Sequence, residues 1–142
     1  MSVSPEGGCS CGAVRYRLTS EPLFVHCCHC LNCQRQTGSA FAINVLIEAD
    51  RVELLAGEPK PVPVPRSGGK KQRIFRCPAC RVAVFSTYTR GTIRFVRAGT
   101  LDDPSTVSPD VADSVPIVAS SIVHVAGTLG RTLPSPSRTT TA

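Results

Sequence analysis

The residues with the clearest chemistry are the thiols of Cys28, Cys30 and Cys33, spaced C-x-C-x-x-C within Cys27-Cys28-His29-Cys30-Leu31-Asn32-Cys33. The thiolate is the metal-binding form of cysteine, and soft or borderline ions select sulfur over oxygen. Residues two apart in an extended segment point to the same side, so Cys28 and Cys30 can converge on one ion. A tight turn across the next two residues brings Cys33 round as a third ligand. Three protein ligands leave one tetrahedral position open, the pattern of a catalytic rather than a closed structural zinc. Cys27 faces the opposite side and reads as a small buried apolar residue rather than a fourth ligand. His29, set between two ligands, also faces away, which suits a supporting role better than that of a general base.

A second set of thiols is split along the chain. Cys9 and Cys11 repeat the i, i+2 spacing inside Gly7-Gly8-Cys9-Ser10-Cys11-Gly12, and Cys77-Pro78-Ala79-Cys80 has the form of a zinc-knuckle turn. Together these two hooks complete a four-sulfur closed site that would staple the first strand to the second half of the domain. A chain of 142 residues with no Trp and 5% aromatic residues has only a modest core and needs such a device. All eight cysteines precede residue 81. Their short spacings are poor for bridging one another, and residues 1–6 lack the basic start and apolar run of a secretory leader. The expectation is therefore metal ligands in a reducing, cytoplasmic setting rather than disulfides. No apolar run reaches the roughly 18 residues of a membrane-spanning helix, so no membrane partner is expected.

The elements that must position these thiols read as mainly β. From Ala13 to Leu18 the chain alternates, with Val14, Tyr16 and Leu18 on one face and Arg15 and Arg17 on the other, a half-buried strand. Leu23-Phe24-Val25 is a short strand leading into the central thiols. Gln34 to Phe41, with Gly38 and its small neighbours, suits a loop beside the metal whose backbone N–H groups face a ligand. Phe41 to Ile47, interrupted by Asn44, is a core strand, and Asp50 to Ala56 is another. Lys60-Pro61-Val62-Pro63-Val64-Pro65 cannot lie inside a sheet, because its prolines lack ladder donors, and it reads with Arg66 to Gly69 as an extended surface loop. Gln72 to Arg76, Val82 to Phe85 and Thr92 to Ala98 are further strands, closed by a turn over Gly99 to Ser105. No long segment keeps a helical period.

Charge is placed unevenly. The net charge is +6, and no acidic residue occurs between Glu58 and Asp102, where Lys60, Arg66, Lys70, Lys71, Arg73, Arg76, Arg81, Arg90, Arg94 and Arg97 all fall. Such a span can meet a nucleic acid or a small anionic substrate, or simply form a solvated basic face. Beyond Ser105 the composition shifts to Ser, Thr, Pro, Val and Ala. The division expected is a zinc-binding domain over residues 1–105 and a divergent, partly disordered tail over 106–142, with a strand over Val115 to Val125 and disorder from Leu133 to Ala142.

In order, Gly8-Cys9-Ser10-Cys11-Gly12-Ala13-Val14-Arg15-Tyr16, Cys28-His29-Cys30-Leu31-Asn32-Cys33-Gln34-Arg35-Gln36-Thr37-Gly38-Ser39-Ala40-Phe41, Cys77-Pro78-Ala79-Cys80 and Ala98-Gly99-Thr100-Leu101-Asp102-Asp103-Pro104 resemble the glutathione-dependent formaldehyde-activating enzymes, a family that includes the centromere protein V proteins. The resemblance covers roughly residues 6 to 105. It implies a β-tent of small stacked antiparallel sheets with two zincs per chain. By similarity, Cys9, Cys11, Cys77 and Cys80 hold a structural zinc, and Cys28, Cys30 and Cys33 a catalytic one. The implied activity is that of a carbon–sulfur lyase acting on a thiol–aldehyde adduct, such as S-hydroxymethylglutathione formed from formaldehyde and glutathione. Arg35 and the basic span would meet the carboxylates of the thiol, with backbone N–H groups near Gly38 and Ser39 assisting. Two departures stand out. The His-Ile-aromatic and Trp-containing segments common after the Leu-Asp-Asp-Pro-Ser turn are absent from Thr106 to Ala142, and His124 lies in an unrelated context. Arg81 also stands where a Gly often follows the knuckle, at the expense of some turn strain.

Two other classes compete. A zinc-stapled binding module would use the basic span on nucleic acid or protein. Against it, Phe75, Phe85, Tyr88 and Phe95 are few for base stacking, and no reading helix is recognisable. A thiol metal or redox buffer would use Cys27 to Cys33.

Overall fold

A computed structural model describes residues 4–65, 71–88 and 90–113 of the chain. Its elements in order are β1 (Glu6–Gly8), β2 (Arg15–Leu18), β3 (Phe24–Cys28), α1 (Leu31–Thr37), β4 (Ala42–Glu48), β5 (Val52–Ala56), β6 (Lys60–Val64), β7 (Gln72–Arg76), β8 (Ala83–Tyr88), β9 (Ile93–Arg97) and β10 (Val111–Asp113), with three single turns of 3-10 helix between them. The strands form a three-stranded sheet, β1-β2-β5, and a seven-stranded sheet, β10-β3-β4-β9-β8-β7-β6. The chain is mainly β in two stacked sheets, as expected.

Period-two patterning explains the stacking. Val14, Tyr16 and Leu18 turn inward while Arg15 and Arg17 stay at the surface. They meet Val25, Val45, Ile47, Phe85 and Val96 of the larger sheet in one core, with Val52 of β5. Each aliphatic side chain fully buried there contributes about 1.5–3 kcal/mol. The alternate residues of β3 and β4 face the other way. Cys28 and Ala42 pair across those strands and form with Cys33 a separate small cluster on the outer face, beneath α1. The larger sheet thus carries the main core on one side and the central thiols on the other.

The Ala98-Gly99-Thr100-Leu101-Asp102 segment locks the first hairpin in place. Arg15 makes a two-pronged pair with Asp102 at 2.7 and 2.5 Å, the Asp102 N–H donates to Glu6 O at 2.9 Å, and Leu101 bridges Gly7. Gly7 has no substitute here, because an added Cβ would sit 2.6 Å from the Tyr16 hydroxyl oxygen.

Three expectations are corrected. Gln34 to Thr37, expected within a loop that runs to Phe41, belong instead to a short helix over Leu31–Thr37, because Cys30 caps it, its sulfur accepting the Cys33 N–H at 3.4 Å. Gly38 then closes it in the left-handed conformation at φ 64°. Lys60 to Val64 is a strand rather than a loop, paired in register with β7 at the margin of the large sheet. The proline argument survives in altered form. Pro61 and Pro63 are two apart, so their missing donors fall on the same, outward side of an edge strand. Lastly, the sheets are not wholly antiparallel, because β10 joins β3 in parallel, Val111 opposite His26 and Asp113 opposite Cys28. Asp110 secures that junction by accepting the Val25 N–H on its carboxylate at 2.9 Å and donating its own N–H to Val25 O at 2.9 Å. Residues 106–113 therefore run on from the domain into its larger sheet. The strand expected over Val115 to Val125 and the disorder expected from Leu133 lie outside the described residues.

Candidate metal and catalytic centres

Cys9 and Cys11 sit in the turn between β1 and β2, and Cys77 and Cys80 in the turn between β7 and β8. The two turns are built alike. The Cys9 N–H donates to Val14 O at 3.1 Å and the Cys77 N–H to Val82 O at 3.0 Å, each wrapping its chain around a sulfur. The sulfurs of Cys9 and Cys11 lie 3.5 Å apart, those of Cys11 and Cys77 3.7 Å, and all four fall within 4.8 Å of one another. A tetrahedral ion with metal–sulfur bonds of about 2.3 Å holds its sulfurs about 3.8 Å apart. The donor set fits such an ion. Burial opposes ionisation of Cys9, yet the Val14 N–H and the neighbouring thiols hold it down at about 6. At Cys11 the Ala13 N–H pulls the same way, but Cys9, burial and the other thiols push it up to about 11. One thiolate in this cluster is easy to form and the next is hard; a bound cation removes the conflict.

The second cluster spans the junction of β3 and α1. Cys28 ends the strand, Cys30 is the helix cap and Cys33 stands in the first turn, and their sulfurs lie within 4.8 Å of one another. Hydrogen bonding from Cys33 lowers Cys28 to about 5 against the cost of burial, with help from the Cys30 N–H and thiol and from the charge of His26. Cys33 is pushed up in turn, by Cys28 and by burial. Cys27 is buried and its thiol is raised, by desolvation first and by Cys28 second. It pairs with Ile43, one place along from the Cys28–Ala42 pair and therefore on the other face of the sheet. The sorting expected from spacing is the sorting found, four thiols in one group and three in the other.

The residues expected around this centre separate. Arg35 lies exposed in the last turn of α1, close in sequence to the cluster. Gly38 and Ser39 follow at the helix end, where the Gly38 N–H donates to Gln34 O at 2.8 Å and the Ser39 N–H to Thr37 Oγ1 at 3.3 Å. Both N–H groups are thus engaged in ending the helix. His29 is buried, its ring stacked at a tilt 5.4 Å from Phe41 and its Nδ1 without a partner. Of the basic span, Arg94 lies over the Phe85 ring at 4.4 Å, and burial depresses its guanidinium. Arg97 is inside the protein, donating to Asn44 Oδ1 at 2.5 Å and to Gln36 Oε1 at 3.2 Å.

Two features escaped the sequence reading. His26 shares the outer face with Cys28 and contributes to its acidity; the i, i+2 spacing that placed Cys30 could have placed His26 as well. Arg97 was one of ten basic residues between Glu58 and Asp102, and nothing local distinguishes an inward arginine from an outward one.

No helix among the described residues is long and apolar enough to cross a membrane. No curated protein matches the chain. A solved structure of a Rhodobacter sphaeroides protein shares the fold, with 19% identity, a TM-score of 0.53, and coverage of 75% of this chain and 97% of that one. The sequence pattern of the glutathione-dependent formaldehyde-activating enzymes matches residues 4–115, taking in both thiol clusters, the Leu101-Asp102 clasp and the strand beside Cys28. With the pattern running across most of the chain, this protein belongs to the glutathione-dependent formaldehyde-activating enzyme family.

Proposed function

We propose that the chain is a zinc-dependent carbon–sulfur lyase acting on a thiol–aldehyde adduct, with formaldehyde and glutathione as the leading pair. In the joining direction, the thiol loses its proton, its sulfur attacks the carbonyl carbon to form the C–S bond, and the carbonyl oxygen takes up a proton. The reverse reaction breaks that bond. Zinc held by Cys28, Cys30 and Cys33 would supply a Lewis-acidic position that favours the thiolate and polarises the aldehyde oxygen. The chain's own residues set the rest. Cys30, as the cap of α1, ties the ligand cluster to a helix whose terminal N–H groups favour negative charge. Arg35 offers a cation for a substrate carboxylate, and the Ser39 hydroxyl lies exposed at the helix end for a further contact. Cys9, Cys11, Cys77 and Cys80 would hold the second, structural zinc.

The observation that carries this reading is the three-sulfur cluster, which has no fourth cysteine, histidine or carboxylate among the residues whose side chains are described, 4–65, 71–88 and 90–110. A binding module has less in its favour, because Arg94 and Arg97 are turned inward. Zinc analysis before and after dialysis against a moderate chelator tests the reading. About two zincs falling to one, together with formaldehyde-dependent consumption of glutathione that fails in Cys30→Ser, is the expected result. A single zinc that does not exchange would leave the central cluster without its metal and defeat the proposal.

A further inference from the structure

Arg97 is 8% exposed, and its guanidinium is met by two neutral amide oxygens, Asn44 Oδ1 and Gln36 Oε1. Among the residues whose side chains are described, 4–65, 71–88 and 90–110, no carboxylate is paired with it. Leaving a buried cation without a counter-charge is costly, and an aspartate at position 44 or a glutamate at position 36 would supply one at the same size. Two of the five guanidinium donors are committed to these amides, which leaves capacity for an arriving anion. Gln36 adds a second donor. With its oxygen directed at Arg97, its Nε2 is left buried and without a partner. A carboxylate at this point can accept from the guanidinium and the amide together.

The position suits a substrate of the three-cysteine centre. Asn44 pairs with Arg97 across β4 and β9, while Ala42, two residues earlier on the same face of β4, pairs with Cys28. That is a step of about 7 Å along the strand. Gln36 lies one helical turn beyond Cys33 on α1. Arg97 thus shares a sheet face with Cys28, and its partner Gln36 shares a helix with Cys33.

We propose that Arg97, held between Asn44 and Gln36, binds a carboxylate of the thiol substrate and sets the enzyme's preference for acidic thiols. The proposal rests on the lyase reading above. The alternative occupation for the guanidinium is to balance the thiolates of the centre itself.

The test uses the zinc-loaded protein and compares glutathione with its diethyl ester, in which both carboxylates are masked, by calorimetric binding and by KM. The wild-type protein is expected to prefer glutathione at least about tenfold, the usual return on charge-assisted pairing. Gln36→Glu and Asn44→Asp, near-isosteric changes that place a carboxylate in the guanidinium fork, are each expected to reduce that preference towards unity. Circular dichroism should remain that of the wild type. A preference unaltered by both variants overturns the proposal. So does loss of zinc from the three-cysteine centre in the variants without any change in preference, which would make Arg97 a counter-charge for the thiolates. If glutathione, its diester and 2-mercaptoethanol are neither bound nor converted, it is the lyase reading that fails, and the subsite falls with it.

Discussion

Arg81 holds a backbone conformation that suits another residue. Its φ of 66° is the left-handed region, where a Cβ crowds the following carbonyl at a cost of about 1–2 kcal/mol. The turn needs that conformation, because the Arg81 N–H donates to Cys77 O at 3.0 Å and the chain must then return Val82 to the Cys77 N–H. Arg81→Gly is therefore expected to stabilise the protein by about 1 kcal/mol in chemical denaturation. Arg81→Ala, which keeps the Cβ, should gain nothing; an equal gain would locate the cost in the side chain. This strain was expected from the family resemblance, in which a Gly often follows the knuckle where Arg81 stands. Tyr16 is a second residue-level test. Thr100 Oγ1 donates to Arg97 O at 2.7 Å, so the Tyr16 hydroxyl is the donor in its 2.8 Å bond to Thr100. Burial raises its phenol from 10.0 to about 12, so the folded state favours the neutral form. Its contribution is complete below pH 10 and is lost as pH rises from 10 towards 12. Tyr16→Phe should cost about 1 kcal/mol at neutral pH. Denaturation midpoints taken from pH 8 to 11 should show that gap narrowing at the alkaline end, and a constant gap would mean the phenol never ionises differently in the two states.

Among the elements, those with strict alternation were readable and those decided by neighbours were not. Residues 13–18 announce a strand because Val14, Tyr16 and Leu18 alternate with Arg15 and Arg17. Helix α1 has no such announcement. It is only seven residues long, too short for a periodic face, and rests on capping by Cys30 and Gly38, residues already explained by metal ligation and turn formation. The β10 strand was hidden for a different reason: its partner β3 is remote, and the parallel pairing depends on Asp110 meeting Val25 rather than on any pattern within the tail. In β6 the prolines argued correctly against an interior strand but not against an edge. Their placement has a consequence. Val62 is exposed on β6, and Pro61 and Pro63 withhold the donors that would otherwise invite another chain to pair there. The double variant Pro61→Thr, Pro63→Thr is expected to self-associate with rising concentration in sedimentation velocity runs, while the wild type keeps its sedimentation coefficient. If the variant sediments as the wild type does, the prolines have no protective part at this edge.

For the molecule as a whole, the two thiol clusters have unequal structural duties. The four-cysteine cluster joins the β1–β2 turn to the β7–β8 turn, with Cys11 and Cys77 separated by 66 residues of chain. Cys77 is fully buried and belongs to the main core, the cluster that also holds Val14 and Val84. The three-cysteine cluster joins only β3 to the helix that follows it, on the outer face of the large sheet. Structural zinc in such a thiolate site contributes on the order of 10 kcal/mol in apparent binding energy, comparable with the whole stability of a small domain. Removing a ligand from the four-cysteine cluster should therefore abolish the cooperative thermal transition, whereas removing one from the three-cysteine cluster should lower its midpoint by only a few degrees. Cys77→Ser and Cys30→Ser make the comparison directly by calorimetry and metal analysis. The first is expected to lose both fold and metal, and the second to fold with one zinc retained. The same order should appear on chelation: a moderate chelator takes the metal of the central cluster while the transition persists, and a strong one then eliminates the transition. Equal destabilisation by the two substitutions would refute the division of labour, because a site needed for folding cannot also be the one that opens to admit a substrate.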